Sequence, residues 1–521
     1  MLDPIQEGES CWIESVSCKS GTVVGAYIVG PVFAGINFHV ARSCLENELA
    51  SLRNRVVQER LVPQASAWAE VELIAQRFVQ PGHAVRPMPF KEWVATFEGT
   101  KRRLLEACYD SMLGKIPAKR VLKRYNCFIK REIKLAYAAF ANQTWVSPRN
   151  IMSAKDVIKV ILGPYFRAYS KYCHSVWNHQ SPIYYEPGGS AEEVSEWVQQ
   201  EPTWPLLEND FSRFDASNWE QSTNLKIYFA KCMGLDGEAL RVYELLRETS
   251  KFTTRHGACC VRVPGTLSGH PDTTWSNTMI NLTVQWYCIL KSWQQREYPN
   301  LPFAKAIELK DCPQPGTHFR LCACGDDSIG RCLPSLVDKD RFVEAGKTLG
   351  YKMKYKAGHS LLQARFCSNA FYPTSNNGYL MAPTLKCLLK LGATVSDVGS
   401  RELRHQSAHM RGVALGLLKQ TNHVPLLNDY IQMLLRSTAG AKGTFLNEAR
   451  KEAERKYRKV EGSRAYESST SLLYLSQMYG ISLATLGTLR FEIAAMNQPG
   501  IYNSTAIEEL TRRVAIVEDL G

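Results

Sequence analysis

Between Thr317 and Cys332 the chain reads THFRLCACGDDSIGRC. Phe319, Leu321 and Ala323 alternate with Arg320, Cys322 and Cys324, the two-residue period of a β-strand. Gly325 then supplies a tight turn and sets Asp326 and Asp327 at its tip. Two adjacent carboxylates in such a place repel each other unless a cation neutralises them. The segment predicts a hairpin that is either a solvated acidic turn or one half of a cation site.

A second acidic element lies upstream. Trp204 to Ser217 reads WPLLENDFSRFDAS, in which Leu206 and Leu207 begin a short strand that delivers Asp210. Asp215 follows five residues later, where the chain turns toward a helix. Neighbouring strands lie about 4.8 Å apart, so Asp210 and Asp326 can flank one site. Donors that are all oxygen select Mg²⁺, with Mn²⁺ as a substitute, over zinc. A pair of such ions roughly 4 Å apart can activate an attacking hydroxyl and stabilise a leaving pyrophosphate.

Between the two acidic elements, Gly265 to Asn281 reads GTLSGHPDTTWSNTMIN and contains Ser268, Gly269, Thr273 and Asn277. Gly265 and Gly269 suit a mobile loop or a close backbone approach. Thr273 and Asn277 are four apart, so they share one side of the following helix. That side can offer hydroxyl and amide groups to a sugar, with Asp215 joining them in reading a 2′-hydroxyl. Taken alone, the segment is also an ordinary capped helix.

Sixty-three Lys and Arg against 50 Asp and Glu give a net charge of +13, which favours nucleic acid or an anionic membrane as partner. The excess is concentrated in Lys115 to Lys134, KIPAKRVLKRYNCFIKREIK, where eight basic residues face the single acid Glu132. Val121, Leu122, Phe128, Ile129 and Ile133 are interleaved. The segment is expected to pack on one side and offer Lys119, Arg120, Lys123, Arg124, Lys130 and Arg131 on the other. Gly21 to Phe38 carries no charge and is long enough to span a bilayer. Its four glycines, Pro31 and Asn37 instead predict short strands joined by glycine turns. MLDPIQEGES has neither the basic nor the apolar region of a secretory signal. The 16 cysteines lack paired C-x-x-C spacing and read as thiols in a reducing compartment. Cys312, His318, Cys322, Cys324 and Cys332 form no tetrahedral set of known spacing, so structural zinc is not expected. Gly346-Lys347-Thr348 lacks the earlier glycine of a phosphate-binding loop, since Arg341 stands there.

The order DFSRFD, SGHPDTTWSN, GDD resembles motifs A, B and C of RNA-dependent RNA polymerases from positive-strand RNA viruses. Asp210 to Ser268 and Ser268 to Asp326 each span 58 residues. FIKRE (Phe128 to Glu132) and SPRNI (Ser147 to Ile151) are similar to the two halves of basic motif F. LGYKMKYK (Leu349 to Lys356) falls where motif D does, and ARFCSNAFY (Ala364 to Tyr372) is similar to motif E. The resemblance covers about residues 130 to 372 and is closest in character to tombus-like or noda-like viruses. A reverse transcriptase would carry Tyr-x-Asp-Asp at the hairpin and an aromatic residue in place of Asp215. A non-catalytic RNA-binding scaffold would keep the basic run and lose the carboxylates.

The resemblance implies an α+β right-hand polymerase fold with an antiparallel palm sheet and a helical thumb. Residues 1–200 would form an N-terminal segment and fingers, 201–375 the palm with a fingers insertion, and 376–521 the thumb. Thumb helices are expected at Leu385 to Leu391, Val424 to Leu435 and Thr444 to Glu461. The implied activity is synthesis of RNA on an RNA template from ribonucleoside triphosphates, in the host cytoplasm at membrane-associated sites with other viral replication proteins. By the same resemblance Asp210 and Asp326 hold Mg²⁺, with Asp327 a weaker ligand. Asp215 and Asn277 select ribose, supported by Ser268 and Thr273, while Gly269 lies against RNA. Lys130, Arg131 and Arg149 neutralise the triphosphate. Lys356 is favoured over Lys352 and Lys354 as the acid that protonates pyrophosphate, with His359 nearby.

Overall fold

The computed structural model describes residues 11–15, 24–55, 61–82, 84–140, 148–262, 265–443 and 466–520. At its centre is a five-stranded sheet in the order Met353–His359, Leu206–Phe211, Asp327–Cys332, Phe319–Cys324, Ile183–Tyr185. The first four strands are antiparallel, but Ile183–Tyr185 runs parallel to Phe319–Cys324, so the sheet is not antiparallel throughout as anticipated. These two strands are separated by more than a hundred residues, and no hairpin forces them to oppose.

The alternation read in Phe319–Cys324 does not divide a wet face from a dry one, because both faces are covered and Phe319 to Ala323 are all buried. Phe319, Leu321 and Ala323 join the core built on the Thr273–Glu297 helix. Cys322 packs on the other face with Val194 and Trp197 of the Ala191–Val198 helix. Arg320 is tolerated there because it donates to the Ser181 carbonyl at 3.3 Å and lies 5.5 Å from the Trp197 ring. The Thr273–Glu297 helix has no Gly or Pro and is buried along nearly its whole length. It is the strut behind the sheet.

A second five-stranded sheet has the order Cys11–Ser15, Cys259–Arg262, Ser250–Thr254, Arg124–Ile129, Asn150–Ala154. The chain between Asp215 and Ser268 thus lends two strands to a sheet that also holds the basic segment. The basic run is a short helix, Lys119–Leu122, followed by a strand rather than one continuous face. Strand parity decides which side chains pack: Tyr125, Cys127 and Ile129 are buried, while Phe128 and the helical Val121 stay exposed.

Helices Leu403–Thr421, Leu427–Ser437, Ser471–Tyr479, Leu483–Ala495 and Thr505–Ala515 build a separate core. The predicted helix at Leu385 is only Leu385–Leu388, and Thr444 to Glu461 lies outside the described residues. That core also takes Val29, Phe33, Leu135 and Tyr137, and Pro31–Phe33 pairs with Gly500–Tyr502. The first 200 residues therefore do not form a unit apart from the C-terminal helices. Strands Val24–Gly25, Tyr27–Ile28, Pro31–Phe33 and Ile36–Val40, with Gly35 turning at φ 79°, replace the membrane segment weighed for this region; residues 21–23 lie outside the description. Among the described residues no helix is long and apolar enough to cross a membrane.

The two cores meet at a hairpin formed by Asn369–Pro373 and Tyr379–Pro383. Ala370, Tyr372 and Ala382 belong to the helical core, whereas Phe371, Leu380 and Met381 belong to the cluster against the central sheet. This is the segment read as motif E.

Candidate active site

Asp210 is the fifth residue of Leu206–Phe211, and Asn209 beside it pairs with Ser328. Extending the register by one residue sets Asp210 against Asp327. Cys324 pairs with Asp327 and leaves a two-residue turn, Gly325-Asp326, in which Gly325 has φ 66°. A hairpin this short needs positive φ, and glycine supplies it without steric cost. The two acidic segments, 116 residues apart, thus converge at one end of the sheet.

Asp210, Asp326 and Asp327 keep solvent-accessible side chains, yet the surrounding protein displaces much of their water. That desolvation, together with the charge of Asp210, raises the carboxyl of Asp326, against a smaller opposing pull from Arg149. Desolvation, then Asp326 and Asp210, push Asp327 up to about 6, while the Cys367 thiol hydrogen-bonds to it. Cys367 and Ser368 are consecutive residues at φ 51° and 61°, a strained loop held against the acidic hairpin.

Among the described residues no three His, Cys, Asp or Glu side chains are spaced to hold a metal ion by themselves. Mg²⁺ does not require such a cage: it is usually held by one or two carboxylates, water and substrate phosphates. The all-oxygen donors suit that ion, as do the desolvation and the neighbouring negative charge that raise Asp326 and Asp327.

Asp215 follows a turn in which Arg213 takes φ 60°, the left-handed region disfavoured for a side-chain residue. Asn277 Nδ2 donates to Asp215 Oδ1 at 2.8 Å. Ser268 and Gly269 are occupied differently. Ser268 Oγ accepts from the Met152 amide at 3.0 Å, and the Gly269 amide donates to the Met152 carbonyl at 2.9 Å. A Cβ on Gly269 would stand 2.7 Å from that carbonyl oxygen, so the residue serves close approach of two backbones. Thr273 turns its hydroxyl back to the Leu267 and His270 carbonyls, 2.6 and 2.8 Å away, closing its own loop rather than facing Asp215.

The basic residues also divide. Glu132 gathers Lys134 (3.1 Å), Lys130 (3.3 Å) and Arg149 (3.4 Å). Burial works against its charge, but Lys134, then Arg149 and Lys130, hold its carboxyl below the usual range. Arg149 thereby sits between Glu132 and the field of Asp326. Arg131 departs from the expected grouping by donating to the Val395 carbonyl at 2.9 Å. Lys119 and Lys123 both pair with Glu248. Ser147 lies outside the described residues.

Lys356 is not the lysine beside Asp210. The strand register pairs Asp210 with Lys354 and Glu208 with Lys356, two residues farther along the same face. This register is a tertiary property that the lysine spacing does not encode.

Sequence reasoning missed two buried sets. Thr278, Asn281 and Gln285, on the helix that carries Asn277, hydrogen-bond to the acidic hairpin. Beneath the Ser268 loop, Asp272 is fully buried with Lys226 at 3.3 Å, His270 at 2.6 Å and the Tyr243 hydroxyl at 2.7 Å. Burial alone would raise the Asp272 carboxyl, but Lys226 and then His270 drive it far below the usual range. The S-G-H-P-D run offered the one sequence signal for this second set. A cavity of about 610 Å³, bordered by Lys159, Arg167, Gly269, His270 and Cys324, opens beside the hairpin.

Residues 54–296 match a family described as RNA dependent RNA polymerase. The match contains Asp210, Asp215 and Asn277 and ends before Asp326. The chain is also 26% identical over 335 residues to an RNA-directed RNA polymerase of Pariacoto virus, an alignment that covers 61% of this chain and 30% of that protein. The chain spans well under half the length of that relative. Over the matched residues, which include both the Asp210 strand and the Asn277 helix, the chain is similar to viral RNA-dependent RNA polymerases.

Proposed function

We propose that the protein copies RNA: the 3′-hydroxyl of a growing strand attacks the α-phosphate of a ribonucleoside triphosphate, a phosphodiester forms, and pyrophosphate leaves. The observation that carries this reading is the meeting of Asp210 with Asp326 and Asp327 at one sheet end. Reaction of this kind asks a protein for positioning and charge neutralisation more than for covalent chemistry. Asp210 and Asp326, with Asp327 beside them, would hold Mg²⁺ or Mn²⁺. Divalent ions bound there supply positive charge to the reacting phosphate and to the hydroxyl that attacks it.

The chain's own residues do the rest. Arg149 and Lys130, held by Glu132 in the absence of substrate, receive the triphosphate. Asp215 and Asn277 read the ribose. Lys354, beside Asp210, donates the proton to the departing pyrophosphate. The cavity beside the hairpin, with Lys159 and Arg167 on its wall, takes the single-stranded template. In this reading the protein replicates a positive-strand viral genome at membrane-associated sites in the host cytoplasm, together with other replication proteins.

Purified protein given homopolymer RNA, a complementary primer, labelled nucleotide and Mg²⁺ should extend the primer. Asp326→Ala should lower the rate by roughly 10²-fold or more, the scale of lost electrostatic stabilisation. Full synthesis by that variant would overturn the reading.

A further inference from the structure

Three buried polar residues of the Thr273–Glu297 helix, Thr278, Asn281 and Gln285, bond to the hairpin that carries Asp326. Thr278 Oγ1 accepts from the Gly325 amide at 2.8 Å while donating to the Thr274 carbonyl at 2.7 Å. Asn281 Nδ2 donates to the Gly325 carbonyl at 3.0 Å and to the Asp327 carbonyl at 3.3 Å. The helix thus holds a backbone group on each side of Asp326.

The grip continues inward. Gln285 Nε2 donates to Asn281 Oδ1 at 3.0 Å, orienting that amide so that its N–H groups face the turn. Gln285 also reaches Ser328 Oγ, and Ser328 Oγ donates to the Asn209 carbonyl at 3.1 Å. Asn209 is the neighbour of Asp210. Thr278, Asn281, Gln285 and Ser328 are all buried, so water cannot replace a lost partner at little cost.

We propose that Thr278 and Asn281 are positioning residues that fix the carboxylates of Asp326 and Asp327 relative to Asp210, with Gln285 and Ser328 extending the hold to the adjacent strand. The inference rests on the polymerase reading above. Asn277 precedes Thr278, and Asn281 lies one turn on. One helix therefore carries both the contact to Asp215 and the hold on the acidic turn. A shift of that helix would move the sugar-facing amide and the acidic turn together.

The test compares Thr278→Val, which keeps the shape and loses the hydroxyl, with Thr278→Ser, which keeps the hydroxyl. Primer extension is measured with varied nucleotide and varied Mg²⁺. Thr278→Val should lower kcat about tenfold, the cost of one hydrogen bond to a buried group, and raise the Mg²⁺ concentration for half-maximal rate. Its KM for nucleotide should stay near the wild-type value, a split that a general loss of fold does not produce. Thr278→Ser should recover the wild-type kcat and Mg²⁺ requirement. Hydrogen exchange at the Gly325 amide should accelerate in Thr278→Val alone. Asn281→Asp sets acceptors against two carbonyls and should also lower kcat, which keeps the test open if Thr278→Val does not fold. Wild-type kcat and Mg²⁺ requirement in Thr278→Val or Asn281→Asp, with Asp326→Ala inactive, would overturn the inference, as would a Thr278→Ser as impaired as Thr278→Val. Synthesis retained by Asp326→Ala would instead remove the polymerase reading and this role with it.

Discussion

Asn277 and Asp215 join through a 2.8 Å hydrogen bond that ties the central helix to the turn following Leu206–Phe211. Asn277 Oδ1 is buried and has no hydrogen-bond partner among the described residues. A 2′-hydroxyl could donate to it, whereas a deoxyribose would leave it unpaired. Asp215→Ala and Asn277→Ala should each reduce the preference for ribonucleotides over deoxyribonucleotides by about tenfold or more, the cost of leaving a buried polar group unmatched. The ratio of kcat/KM for the two sugars measures it, and an unchanged ratio in both variants would reject the assignment.

The pairing of Asp210 with Lys354 separates two neighbouring lysines. Lys354→Ala should slow nucleotide addition by roughly 10²-fold, the lower range for loss of a general acid. Lys356→Ala, opposite Glu208, should slow it far less. Single-turnover rates across pH distinguish them, and the reverse ranking would return the role to Lys356.

Gly269 has no room for a methyl group, since its Cβ would meet the Met152 carbonyl oxygen at 2.7 Å and Ser153 Cα at 2.9 Å. Gly269→Ala should cost about 1–3 kcal/mol in stability, typical of overpacking against backbone. Thermal or denaturant unfolding reads this directly.

Lys226 and Asp272 are a buried ion pair in which Lys226 is the strongest support of the carboxylate, ahead of His270 and Tyr243. Lys226→Met should destabilise the protein by about 3–5 kcal/mol, the range for an uncompensated buried charge. Adding Asp272→Asn should recover part of that loss. A double variant less stable than Lys226→Met would show that Asp272 is held mainly by His270 and Tyr243.

Loss of surrounding water, then Asp326 and Asp210, push the carboxyl of Asp327 up to about 6. A raised acid stabilises the fold when protonated, so its contribution is complete below the ordinary value of 3.8 and is lost as pH rises through about 6. A divalent ion binding below that pH must displace a proton. Mg²⁺ or Mn²⁺ should therefore raise the melting temperature more at pH 7.5 than at pH 5.5. Asp327→Asn should raise the metal-free melting temperature at pH 7.5. Equal metal shifts at both pH values would count against a carboxylate site.

The acidic pair was legible because strand alternation, a glycine turn and two adjacent aspartates leave few arrangements for Phe319 to Cys332. The convergence of Asp210 on it followed from strand spacing and family resemblance. Thr278, Asn281 and Gln285 were not legible: polar residues along a helix ordinarily face water, and only a helix covered on all sides turns them inward. Lys354 could not be separated from Lys356, since strand register is set by packing across the sheet. Glu132 looked like a lone exception in a basic run, yet it organises two of those cations, Lys130 and Lys134, together with Arg149. The pairing of residues 31 and 500 leaves no local trace, because both partners are short and the turn signals beside them say nothing of a partner so distant in sequence.

That last pairing has a bearing on synthesis of the chain. Pro31–Phe33 finds its β-partner only after Gly500–Tyr502 has emerged from the ribosome, so the segment waits, unmatched, while all the chain between them is made. Closure of the helical C-terminal unit is thus a late event with a large loop-closure cost, and truncation before residue 500 should strand an apolar N-terminal edge.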